Sequence, residues 1–165
     1  MVEASAEMAL WALSSEPLDG RRPSTDKLPP SEVFKKLSAF SVTTAGGVVA
    51  SIGSMIGLAV ATCEDMAEVR HTVVHGRPTA PQGGLPELQR NPSWFGEQRS
   101  RPASTLALSP SDLDRSAEIA STLFMALSRI AMLNPLDSDT IAFLLILAPD
   151  LALCATDAAR LRASL

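Results

Sequence analysis

Residues 37–63, LSAFSVTTAGGVVASIGSMIGLAVATC, carry no charged side chain. Small residues recur in them at four-residue spacing: Gly46, Ala50 and Ser54 on one line, Ala45, Val49, Gly53, Gly57 and Ala61 on another. In a water-exposed helix each interior glycine costs roughly 0.5–1 kcal/mol relative to alanine. A helix that keeps Gly46, Gly47, Gly53 and Gly57 therefore works against its own propensity. Close approach of another backbone is the usual reason, and Gly53-x-x-x-Gly57 is the spacing that permits it between helices in membranes.

Punctuation on either side sets the limits of this helix. Pro29 and Pro30 end a stretch of linker chemistry, and Ser31 with Glu32 reads as an N-cap and an acidic first turn. Gly76 and Pro78 stop the run at its far end. One long central helix is expected over 31–75. Upstream, residues 1–30 read as a tail with a short helix over 3–15 (EASAEMALWALSS), its apolar side drawn from Met8, Trp11 and Leu13.

Downstream the character of the chain changes. Residues 76–110 hold prolines 78, 81, 86, 92, 102 and 110 and glycines 76, 83, 84 and 96, which is the composition of a linker or of a segment ordered by a partner. Trp94–Phe95 is an apolar island in that stretch, expected to tuck back onto the chain's own helices, the alternative being an anchor into a partner's groove. Ser109-Pro110-Ser111-Asp112 then gives a capping serine, a proline at the first helical position and an acid in the first turn. That helix should run to about Leu133. Asn134-Pro135-Leu136 breaks it, Asp137 or Ser138 caps the next, and the second helix covers about Asp139–Arg162 with Pro149 inside it. So short a break makes residues 111–165 an antiparallel helical hairpin. The fold expected is all-α: a long central helix, a Pro/Gly-rich linker and the hairpin.

Both hairpin helices are apolar on more than one side. Residues 119–133 contain one charge, Arg129, and 140–149 (TIAFLLILAP) contain none. Two such helices cannot cover each other completely. Either the central segment clasps them in water, or it lies in a bilayer. On the bilayer reading, 39–62 form a helix of about 36 Å that crosses a ~30 Å hydrocarbon core. Arg21, Arg22, Lys27, Lys35 and Lys36 precede it against Arg70 and Arg77 after it, so the N-terminus would be cytoplasmic. The alternative is a soluble, cytoplasmic helical bundle.

Composition narrows the function classes. Hydrophobic residues make up 46% of the chain, charged residues 19% and aromatics 4%, with no tyrosine and a net charge of −4. Such a chain has material for a helical core but no concentrated basic footprint, so nucleic acid is not an expected partner. Glu3 and Glu7 come before any basic residue, unlike the start of a secretory signal. Cys63 and Cys154 lie in separate apolar stretches without metal-type spacing and read as buried free thiols.

Chemistry-bearing patterns are few. Glu64, Glu68, His71 and His75 share one helical face, and Glu68-x-x-His71 is the pair that carboxylate-bridged metal proteins use. Such a centre needs a second copy of the pair, and the chain has only two histidines. Near a helix C-terminus, histidines also interact well with the dipole alone. No serine occupies a Gly-x-Ser-x-Gly elbow and no phosphate loop is present. The expectation is a non-enzymatic helical interaction or assembly protein, membrane-associated through 39–62, with no catalytic, cofactor or metal residue assigned. Its partner would be a protein, a second copy, or the bilayer itself. The alternatives are a soluble oligomerisation or adaptor bundle, and a metal-dependent enzyme using Glu68, His71 and His75.

Overall fold

The computed structural model describes residues 2–14, 25, 27–43, 48–79, 87–90, 104–132 and 138–165, with backbone alone at 40–43, 48–51 and 104. Of these residues 82% are helical. The elements run in the order α1 (Val2–Leu13), α2 (Pro30–Thr43), α3 (Val48–His75), β1 (Arg77–Thr79), β2 (Glu87–Arg90), β3 (Ser104–Ala107), α4 (Pro110–Ala131) and α5 (Ser138–Ala163).

The start of the C-terminal hairpin forms as its punctuation dictates, while the break expected at Asn134–Leu136 and the cap at Asp137 lie outside the described residues. Ser109 is the N-cap of α4: its hydroxyl accepts from the Asp112 amide, the Asp112 carboxylate accepts from the Ser109 amide, and Pro110 follows at the first helical position. Both helix ends then meet. Arg160 near the end of α5 donates to Asp112 at the start of α4 at 3.2 Å, and Arg115 donates to Asp157 at 2.7 Å, so the two helices are antiparallel. The Ser109 hydroxyl and amide hold the Asp112 carboxyl below the usual carboxylate range. That stabilisation is present above the unfolded-state pKa and is lost as pH falls through the lower folded-state value. Ser109→Ala should cost about 1 kcal/mol at neutral pH, read from denaturant midpoints, with a smaller difference in acid.

Where one helix is expected over 31–75, there are two. The described helices end at Thr43 and begin again at Val48, and α2 packs on α3, which two parts of one straight rod cannot do. The sequence between them is Thr44-Ala45-Gly46-Gly47. Two adjacent glycines preceded by β-branched residues are the weakest helix-forming point of the region. The linker expected at 76–110 also differs. Its described residues form an antiparallel sheet in the order β1-β2-β3, with Pro78 opposite Leu88 and Leu88 opposite Leu106. Leu106 is fully buried, which ties the sheet to the helical core. Trp94–Phe95 lies outside the described residues.

Packing explains what each helix contributes. α1 lies against α4 and α2, α3 against α2, α4 and α5, and α4 against α5. α1 turns Ser5, Ala6, Ala9 and Leu10 inward rather than Met8, which is exposed. Small side chains let its backbone approach α4, where Ser5 and Ser128 hydroxyls sit 3.3 Å apart. Trp11 uses its ring N–H on the Thr25 hydroxyl at 2.7 Å. From α3, Ile52, Met55, Ile56, Ala59, Val60 and Cys63 are buried. α5 meets them with Leu144, Leu147, Leu151, Cys154 and Ala158. At the end of α3, Gly76 donates to the Thr72 carbonyl, and a Cβ there would press into that oxygen and reach 3.0 Å from Leu88 Cβ. Only glycine fits where the chain leaves α3 for the sheet.

Candidate interaction surface

α5 has two apolar stripes. Leu144, Leu147, Leu151, Cys154, Ala158 and Leu161 turn inward. At 100° per residue, Ala142, Leu145, Ile146, Pro149, Ala152 and Leu153 fall on the opposite side. Those six are solvent-facing, Ile146 at 77%, Leu153 at 54% and Leu145 at 49% exposure. Among the described residues α5 is also the helix long and apolar enough to cross a membrane. An exposed isoleucine alone means little, but an aligned stripe three turns long is a surface that water wets poorly. Asp139 and Asp150 flank it, and Arg160 closes its C-terminal end.

The residues expected to meet lipid are placed differently. Within the described part of 39–62, Ile52, Gly53, Met55, Ile56, Ala59, Val60 and Thr62 are buried inside the chain. Within 39–62 the residues up to Thr43 belong to α2 and those from Val48 to α3, which pack on each other, and 44–47 lie outside the described residues.

Glu64, Glu68, His71 and His75 do line up along the last turns of α3. The rings of His71 and His75 stand 4.5 Å apart, tilted by 56°. One Glu68 oxygen is taken by Arg90, which reaches across from β2 at 3.3 Å and also donates to the Thr72 hydroxyl. Arg90 is buried, and its Nε has no hydrogen-bond partner among the described residues. No group of three or more His, Cys, Asp or Glu side chains comes together among the described residues in a way that could hold a metal ion. Sequence reasoning missed Arg90 altogether, since nothing local marks an arginine in a four-residue strand as an inward-facing one.

Cys63 and Cys154 are both free and buried. Burial pushes the Cys63 thiol up to about 12, with Glu64 and Glu3 adding to the rise, so the group is a neutral, poorly nucleophilic thiol. It lines a cavity of about 230 Å³ between α1, α2, α3 and α4, together with Val2, Phe34, Met66, Ala67 and Leu123. Glu3 and Arg70 border the same cavity and pair with each other at 3.2 Å.

No protein-family model matches the chain, and no curated protein or solved structure is similar to it.

Proposed function

We propose that this chain is a non-enzymatic assembly module that associates through the outward stripe of α5. The observation that carries the reading is the pair of opposed apolar stripes on one helix. The inner one has a core to pack against, and the outer one has none among the described residues. A soluble helix ordinarily keeps one such face, because a second raises the cost of hydration without adding to the fold. Burying Leu145, Ile146 and Leu153 against an apolar partner recovers about 1.5–3 kcal/mol for each side chain fully removed from water. The association surface thus moves from residues 39–62 to α5. A partner helix laid along the stripe is the favoured reading. Lipid contact through the same helix is the second reading, favoured by its length and apolar content.

Replacing Leu145, Ile146 and Leu153 together by serine separates folding from association. The variant should keep its helical circular-dichroism signal and its unfolding transition. It should lose the concentration-dependent sedimentation, or the flotation with phosphatidylcholine vesicles, expected of the native chain. A native chain that stays monomeric and free of vesicles at every concentration would refute the proposal.

A further inference from the structure

We infer that the partner of α5 is a second copy of this chain, docked antiparallel about a two-fold axis beside Pro149–Asp150; the inference rests on the α5 stripe being the association surface.

Spacing along the helix decides the pairing. Asp139, Ile146, Leu153 and Arg160 stand seven residues apart along one edge of the stripe. Seven residues are close to two helical turns, so the four form a single row of about 32 Å. All four are exposed. The row reads acid, aliphatic, aliphatic, base. Turned end for end, it becomes base, aliphatic, aliphatic, acid, which is its own complement. An axis between positions 149 and 150 sets Asp139 of one copy against Arg160 of the other and Ile146 against Leu153, and each pair occurs twice. A parallel pair would instead place Asp139 on Asp139 and Arg160 on Arg160, and would align the two helix dipoles unfavourably.

Charge placement favours this occupant over a bilayer. Asp150 lies within the span of the stripe, 142–153, and Asp139 and Arg160 stand at its two ends. Acids flank it, whereas a helix lying on an anionic surface carries lysine and arginine along its polar side. The Arg160 guanidinium already touches Asp112 at 3.2 Å and Asp157 at 3.8 Å, but it keeps 60% of its surface exposed and has donors left for Asp139 of the second copy.

The same geometry makes a less obvious demand. Asp150 lies on the side of α5 that carries the row, next to the axis, so the two-fold brings Asp150 of both copies to the same side of the interface. Like charges at the centre weaken the pair, and removing them should tighten it. One helix pair buries less than the ~800 Å² per partner of a standard stable interface, so the dimer is a reversible one.

Sedimentation equilibrium of the full chain, up to ~1 mM, tests all of this in a weak-dimer regime. Asp139→Arg and Arg160→Asp should each weaken the dimer roughly tenfold. The two changes together in one chain should restore it, since each contact across the axis then joins the same two charges with their places exchanged. Asp150→Asn, at an exposed position, should tighten the dimer several-fold. Unfolding curves for each variant confirm that the fold is retained. Dimerisation that Ile146→Glu abolishes, but that the double reversal does not restore and Asp150→Asn does not strengthen, overturns the antiparallel pairing and leaves the α5 surface standing. A monomeric chain that floats with vesicles overturns it as well, in favour of lipid. Association that survives Ile146→Glu overturns the α5 surface itself.

Discussion

Gly53→Arg is expected to unfold the protein. Gly53 is buried on α3 among Ile52, Met55 and Ile56, three buried apolar neighbours. An arginine there must either keep its charge in an apolar surround without a partner or force the helices apart. Uncompensated burial of a charge costs on the order of 3–5 kcal/mol, against a total stability of about 5–15 kcal/mol for a domain. The far-UV signal should fall and the cooperative transition should vanish or shift far down. A variant that stays soluble with native helix content would show that Gly53 faces something other than the packed core. The experiment also bears on residues 39–62, because in lipid the same change would cost ~2.5–3.5 kcal/mol at mid-span and block insertion instead.

The second large effect is a contrast within one helix. Leu151 is fully buried on the inner stripe of α5, and Ile146 is 77% exposed on the outer one. Leu151→Ala removes buried carbons and leaves a cavity among α3, α4 and α5, for a loss of about 2–5 kcal/mol. In a domain of this size that lowers the melting temperature by roughly 5–15 °C. Ile146→Ala should change stability by no more than about 0.5 kcal/mol while weakening association. Thermal unfolding at low concentration checks both. Equal losses for the two would mean that the outer stripe is packed within the monomer.

What the sequence made legible follows from how local each signal is. The hairpin could be read because Ser109, Pro110 and Asp112 act within one turn, and their hydrogen bonds form as the spacing implies. Likewise, residues 119–133 and 140–149 were apolar on too many sides to be covered by each other, and α3 now supplies part of that cover. The division between α2 and α3 was hidden, because an uncharged run looks the same whether it is one helix or two. Three strands of three or four residues escaped because pattern needs length, and Pro78 and the nearby glycines dominate the composition. The inward face of α1 is legible only in part: Leu13 packs against the core, but Ala6 and Ala9 carry little hydrophobic weight, yet they are the residues small enough for helix contact. As for the candidate surface, periodicity reveals two stripes on α5 but is symmetric between them. Only the packing of α3 decides which one remains outside.

The docking of α1 onto α4 fixes an order of events during synthesis. Ser5 and Ser128 meet across more than a hundred residues, and the Ala6 and Ala9 face of α1 finds its cover on a helix that begins at Pro110. α3 likewise waits for α5. The amino-terminal half therefore leaves the ribosome with apolar helix faces that no earlier segment can cover. At ~5–20 residues per second, those faces stay open for several seconds until α4 and α5 emerge. Over that interval the core stays incomplete, and α4 and α5, the last helices made, close it.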